Sequence, residues 1–239
     1  CGSNKIRYFY ASGSQMKKGQ HGVKIFPGMC DCGMVHLSPR WSKAEYVEYY
    51  TQDYDDEYRL ELKPDIGTDG VEKNAEEILM RLRRNLSFDK SMNILDIGSA
   101  YGNALKYYRN KIPKAQIYGI ESSIEGGRIL TDDYGGTLIT DDFDDDQWAI
   151  TYASKFDLIT MRHVFEHLLY PNEALEKLKL VTKQGGIIYL SLPDMLHPRI
   201  KLRDYDEWFD YWFRVVHPYY YNKYTLAEIL IKNGFDIID

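Results

Sequence analysis

The stretch from Asn93 to Gly102, NILDIGSAYG, constrains this chain more than any other: an apolar strand on Ile94, Leu95 and Ile97 runs into a glycine turn that opens a helix. Its acid and glycines fall as Asp96, Gly98 and Gly102, a DxGxxxG spacing rather than the GxGxxG of dinucleotide folds. A carboxylate therefore stands where a pyrophosphate would approach, and the loop favours a cationic ligand. Gly98 and Gly102, with Ser99 and Ala100 between them, let the main chain come close to that ligand. Helix N–H groups after Gly102 are suited to a carboxylate on it.

A second short strand, AQIYGIE, ends in Glu121, about 20 residues beyond the glycines, where ribose recognition in such folds needs an acceptor-only group. A third, Thr137 to Thr140, runs into Asp141, Asp142 and Phe143, an acid to accept from an adenine amine and a ring to cover the base. Strands expected near 94–97, 117–120, 137–140, 156–161 and 186–192 alternate with helical patterns such as Asn172 to Lys183. That alternation predicts a doubly wound α/β fold with a parallel sheet and the ligand at the carboxyl strand ends. Ahead of it, Ile78, Leu79, Leu82 and Leu86 predict a helix beside the first strand.

From about Val71 onward the chain resembles class I S-adenosylmethionine-dependent methyltransferases, in the branch with FDLITMRHVFEHLLYPNEALEKL, then GGIIYLSLPD and a late TLAEILIKNGF. The resemblance implies a mostly parallel seven-stranded sheet, S-adenosylmethionine as donor and S-adenosylhomocysteine as product. It places Asp96, Gly98, Ser99, Ala100 and Gly102 at the methionine end, Glu121 on the ribose, and Asp141, Asp142 and Phe143 around adenine. Arg162 joins the cofactor side, and Tyr54 and Tyr58 lie in a region that covers the cofactor in relatives. Phe235 to Asp239 reads as the start of a strand whose antiparallel partner is missing.

If the acceptor loses a proton, a base is expected near the fourth strand end. Were the segment after Met161 and Arg162 the first turn of a helix, His163 and His167 would share a face with Glu166 beside them. His167 is the first candidate base, since a neighbouring carboxylate can fix its tautomer and raise its basicity; the Glu and His pair matching Glu166 and His167 lies in the acceptor site of related sugar C-methyltransferases. A plain helix start satisfied by these histidines is the bland alternative. A metal is the third: quinone-precursor relatives carry ExxEH around Mg²⁺, but His163 occupies the first position, and two imidazoles suit Zn²⁺ or Fe²⁺ better. An aromatic segment, 194–224, reads as an acceptor lid, with His217 its most plausible chemical participant.

Residues 1–40 lack a helical period and hold the cysteines, Cys1, Cys30 and Cys32, the last two in a CDCG turn resembling the second knuckle of zinc-ribbon-like modules ahead of many relatives' catalytic domains. A structural zinc would take its fourth ligand from a cysteine upstream of the numbering, or from His21 or His36. Residues 41–70 form a tyrosine-rich connector, begun by a Ser42/Glu45 capping box, and 71–239 the cofactor-binding domain. Both ends look cut. With 239 residues, a net charge of −6 and a pI of about 5.6, the chain can bury one good α/β core and carries no general affinity for nucleic-acid phosphates. A nucleic-acid amino-methyltransferase is further disfavoured because no [DN]PPY follows the fourth strand. No apolar run reaches the roughly 18 residues of a membrane span, so the chain reads as soluble and cytoplasmic.

The expected function is methyl transfer to a small hydroxyl-rich acceptor, a sugar or nucleotide-linked sugar, with oxygen favoured over carbon. The alternatives are metal-assisted O-methylation of a quinone-like or other small molecule, a non-catalytic S-adenosylmethionine-binding scaffold, and an NAD-dependent oxidoreductase.

Overall fold

The computed structural model describes residues 5–8, 12–13, 24–50, 68–88, 90–196 and 213–239. Cys1, His21, Tyr54, Tyr58 and positions 197–212 of the expected lid lie outside the described residues. The chain groups into two compact units: one of Cys1–Glu48, His163–Leu175 and Leu192–Asp239, the other of Tyr49–Arg162 and Glu176–Ser191. The first unit gathers segments from three parts of the chain.

The first unit opens with β1 (Ile6–Tyr8), β2 (Ser12–Gly13), β3 (Lys24–Ile25), β4 (Pro27–Cys30) and β5 (Val35–Leu37). Strands β4 and β5 form an antiparallel hairpin with Gly28 opposite His36, and β1 adds antiparallel to β4. The turn between them is the CDCG segment: Gly33 takes a φ of +84° and donates to the Cys30 carbonyl at 2.8 Å. Burial of Val35 and Leu37 fixes the hairpin's inner face. Helix α1 (Lys43–Glu48) starts on the expected capping box, with the Ser42 N–H donating to the Glu45 carboxylate at 2.7 Å.

In the second unit, helix α2 (Thr68–Leu82) leads to β6 (Asn93–Ile97), α3 (Asn103–Lys111), β7 (Gln116–Ile120), α4 (Ile124–Arg128), β8 (Thr137–Thr140), α5 (Gln147–Thr151) and β9 (Phe156–Arg162). Helix α6 (Pro171–Val181), whose residues up to Leu175 group with the first unit, and strand β10 (Thr182–Ser191) follow. The sheet runs β10-β9-β6-β7-β8, and every neighbouring pair is parallel. Ile94, Leu95 and Ile97 are buried, as a central strand covered on both faces requires. The α2 face of Ala75, Ile78, Leu79 and Leu82 joins the same core as Leu105 and Tyr108 of α3 and Ile112 just after it. Leu86, expected to extend that helix, lies in the turn beyond it, its N–H still donating to the Leu82 carbonyl. The chain moves outward from β6 through β7 to β8, then crosses back to β9 on the other side of β6. That reversal is a topological switch point, where open α/β sheets place their ligands.

The first unit closes with β11 (Tyr219–Tyr220), antiparallel to β5, and α7 (Lys223–Lys232). Its four-stranded sheet runs β1-β4-β5-β11. A capping box of Asn222 and Thr225 starts α7. Its end is a Schellman closure: Gly234 at φ +80° donates to the Ile231 carbonyl and Phe235 to that of Leu230. Among the described residues the second unit's sheet has five strands, and 235–239, where the sequence suggests the start of a strand, carry no regular secondary structure.

Candidate cofactor cradle and histidine cluster

The loop after β6 makes three left-handed turns, at Gly98 (φ +70°), Ala100 (φ +50°) and Gly102 (φ +70°). Glycine takes such angles without strain, alanine does not. Ala100 is held there by Glu121, whose carboxylate accepts the Ala100 N–H at 2.6 Å through one oxygen and the Ser123 N–H at 2.9 Å through the other. Glu121 is only 4% exposed and so braces the loop against the start of α4, a role its candidacy for the ribose did not reveal. Both oxygens keep further acceptor capacity.

Two glycines missed by sequence reasoning make this packing possible. A Cβ on Gly119, in mid-strand β7, would stand 2.4 Å from the Leu130 side chain and 2.8 Å from Ser99 Oγ; one on Gly126 would stand 2.5 Å from the Ala100 carbonyl oxygen. A glycine inside an apolar strand or a short helix is the signal that could have found them.

Asp96 closes the floor. It is 6% exposed, and Thr160 Oγ donates to its Oδ1 at 2.6 Å. Burial pushes its carboxyl up to about 7, against the opposing pull of the Thr160 hydrogen bond and the Arg162 charge. Ser99 Oγ is buried with no hydrogen-bond partner among the described residues.

Adjacent strand ends carry the other acids. The Gly98 N–H donates to the Ile120 carbonyl at 2.8 Å, and the Glu121 N–H to the Thr140 carbonyl at 3.3 Å, stitching the tips of β6, β7 and β8 together. Asp141 and Asp142 are exposed at the β8 tip, where Asp142 Oδ1 accepts the Asp144 N–H at 2.8 Å. The half-buried Phe143 ring lies 5.6 Å from that of Trp148 and under Lys177, while its carbonyl accepts from Trp148 Nε1 and Lys177 Nζ, both at 3.1 Å. Trp148 and Lys177, neither singled out in the sequence, therefore fix the ring. Arg162, half-buried, ends β9.

The histidines belong to the first unit. The expected helical turn is absent: His163 is left-handed (φ +52°) and exposed, and Phe165–His167 form a 3₁₀ turn. His163 and His167 thus do not share an α-helical face. Instead the His167 ring meets His217 edge to face at 4.5 Å between centroids. Both rings keep some exposed surface yet are densely surrounded by protein. Burial pushes both imidazoles below the usual histidine range, with the Glu166 charge pulling His167 back up and the His167 charge pushing His217 further down. A hydrogen bond to the Val216 carbonyl orients His167.

Glu166 is 3% exposed, and neither carboxylate oxygen has a hydrogen-bond partner among the described residues; His163 Nδ1 stands 3.5 Å from Oε1. Ligand atoms of Glu166, His167 and His217 lie within 4.8 Å of one another. In the β4–β5 turn, Cys30 is buried and Cys32 partly so, and the Cys32 backbone hydrogen bond draws the Cys30 thiol below its ordinary range. His36, one candidate fourth zinc ligand, turns its Nδ1 to the Leu37 carbonyl at 3.0 Å.

A family profile described as a methyltransferase domain matches residues 71–239. A comparison with curated proteins returns no match. Among solved structures, the plantazolicin methyltransferase BpumL in complex with S-adenosylhomocysteine superposes with a TM-score of 0.61 at 18% identity, covering 79% of this chain and 73% of that one. The CurJ carbon methyltransferase gives a TM-score of 0.56 at 16% identity over 80% of this chain, which spans only 54% of that protein. A complex of the Haloferax volcanii Trm112 methyltransferase activator with a methyltransferase gives 0.56 at 16% identity, covering 82% and 78%. These likenesses are of fold. With the family match over 71–239 and a parallel five-stranded sheet, the chain belongs to the class I S-adenosylmethionine-dependent methyltransferases.

Proposed function

We propose that this protein transfers a methyl group from S-adenosylmethionine to a small hydroxyl-rich acceptor, a sugar or nucleotide-linked sugar, with oxygen favoured over carbon. The observation that carries the donor assignment is the run of acids on stitched, neighbouring strand tips, Asp96, Glu121 and Asp142, beside a loop of three left-handed residues. Two features support the fit: the buried Ser99 hydroxyl has no protein partner among the described residues, and a carboxyl held near 7 by burial gains from a cation. Asp96 with the loop from Gly98 to Gly102 takes the methionine end, Glu121 the ribose, and Asp141, Asp142 and Phe143 the adenine. Arg162, Tyr54 and Tyr58 complete the cofactor side.

The bound donor supplies an electrophilic methyl on a sulfonium. The chain's own residues position the acceptor and take its proton as the methyl–oxygen bond forms. With bare side chains His167 is the base, a neutral imidazole oriented by the Val216 carbonyl, with Glu166 beside it and His217 against its ring. A second reading, metal-assisted transfer, is favoured by the unpartnered Glu166 carboxylate. Cys1, Cys30 and Cys32 are the proposed thiolate ligands of a structural zinc in a reducing, cytoplasmic setting. No described helix is long and apolar enough to cross a membrane.

Calorimetry with S-adenosylhomocysteine and with NAD, followed by a screen of nucleotide sugars and related small molecules for S-adenosylhomocysteine release, tests this function. Binding of S-adenosylhomocysteine and turnover with a hydroxylated acceptor are expected. NAD binding alone overturns the donor assignment, and binding without turnover on any acceptor leaves a scaffold. Unchanged turnover in His167→Ala removes it as base.

A further inference from the structure

We propose that Glu166, His167 and His217 form a three-ligand site for a divalent ion of the zinc class. Three observations carry it. Glu166 is 3% exposed, yet both its oxygens lack a hydrogen-bond partner among the described residues, and native proteins rarely leave a buried carboxyl so. One ligand atom from each residue lies within 4.8 Å of the other two. Ligands about 2.1 Å from a tetrahedral zinc sit roughly 3.4 Å apart, so the side chains need close by little more than an ångström. The His167 ring also donates to the Val216 carbonyl, the outer bond that metal-bound imidazoles habitually make to fix the ligating nitrogen. His163, 3.5 Å from Glu166 Oε1, is the carboxylate's outer partner rather than a ligand.

The donor set selects the ion. Two imidazoles and one carboxylate suit Zn²⁺ or Fe²⁺ and are poor for Mg²⁺, which prefers oxygen ligands in octahedral geometry. Three protein ligands leave one tetrahedral position open, as catalytic zinc sites do. The use of that position rests on the proposed methyl transfer: an ion there would make an acceptor hydroxyl more acidic, the proton leaving to solvent as the oxygen takes the methyl and S-adenosylhomocysteine departs, and His167 would then be a ligand rather than the base. The binding of the ion does not rest on that reading.

The test is metal binding by the whole chain carrying Cys30→Ser and Cys32→Ser, which removes two of the three proposed thiolate ligands. Titration of the metal-free protein with Zn²⁺ should show one equivalent, and titration with Co²⁺ should give visible bands without the near-ultraviolet charge transfer that thiolates produce. Adding His217→Ala, and separately Glu166→Gln, should each weaken that equivalent by about 100-fold or more, beyond the 10–100-fold that follows loss of an outer-shell partner. Circular dichroism and thermal unfolding of each variant distinguish a lost site from a lost fold. No zinc in the double-serine protein overturns the site, as does undiminished affinity in both ligand variants. If zinc binds as described but no acceptor is methylated, the site stands and the methyl-transfer reading falls.

Discussion

Asp96→Asn should stabilise the cofactor-free protein at alkaline pH while weakening its hold on the donor. Burial raises the Asp96 carboxyl from 3.8 to about 7, so the folded state keeps its proton to a higher pH than the unfolded chain does. Between those values the native state binds more protons, and stability falls as pH rises. Linkage puts the cost at about 1.5 kcal/mol at pH 5 and about 4 kcal/mol at pH 8. Asparagine does not titrate, and its carbonyl can still accept the Thr160 hydroxyl, at 2.6 Å in the wild type. Its amide N–H groups need partners, which costs a constant of roughly 1–3 kcal/mol, independent of pH. The informative quantity is therefore the slope: from pH 5 to pH 8 the wild type should lose about 2 to 3 kcal/mol relative to Asp96→Asn, a relative Tm shift of about 5–10 °C for a domain of this size. Thermal unfolding of both proteins across that range, without ligand, measures it. A cationic donor should reverse the ranking, with S-adenosylmethionine affinity falling at least about tenfold in the variant, the low end for a lost charge-assisted hydrogen bond. Parallel Tm curves from pH 5 to pH 8 would refute the assignment of a burial-raised carboxyl at Asp96.

Gly126→Ala places a Cβ 2.5 Å from the Ala100 carbonyl oxygen, so the loop must move; S-adenosylhomocysteine affinity should drop about tenfold or more, with 1–3 kcal/mol lost from overpacking, read by calorimetry and thermal unfolding. Glu121→Gln keeps one acceptor oxygen where two backbone N–H groups need one each, and should cost about 1–3 kcal/mol together with cofactor affinity; unchanged binding would free Glu121 from both roles. Asn222→Ala removes the cap that accepts the Tyr224 and Thr225 N–H groups and should cost about 1 kcal/mol in denaturant unfolding, with S-adenosylhomocysteine binding unaltered.

What the sequence disclosed and what it withheld divide along a physical line. Strands β6, β7 and β9 were legible because buried parallel strands are continuous apolar runs, and the loop because Gly98 and Gly102 meet angles other residues avoid. Each of those signals is local. Glu121 as the brace of Ala100 was not legible, since nothing in a 21-residue separation says that a carboxylate and an N–H will meet at 2.6 Å. The pairing of β5 with β11 and of His167 with His217 is of the same kind. The helical period assigned to His163 and His167 failed for a related reason. Spacing by four puts two side chains on one face only if the backbone is α-helical, and a left-handed His163 ahead of a 3₁₀ turn breaks that condition. The chemistry then follows the fold rather than the motif. A local reading makes His163, Glu166 and His167 the group that acts together; the three-dimensional one exchanges His163 for His217, 50 residues from His167 along the chain. Replacing His217 should consequently disturb the cluster more than replacing the exposed His163, an ordering that the linear motif alone would reverse.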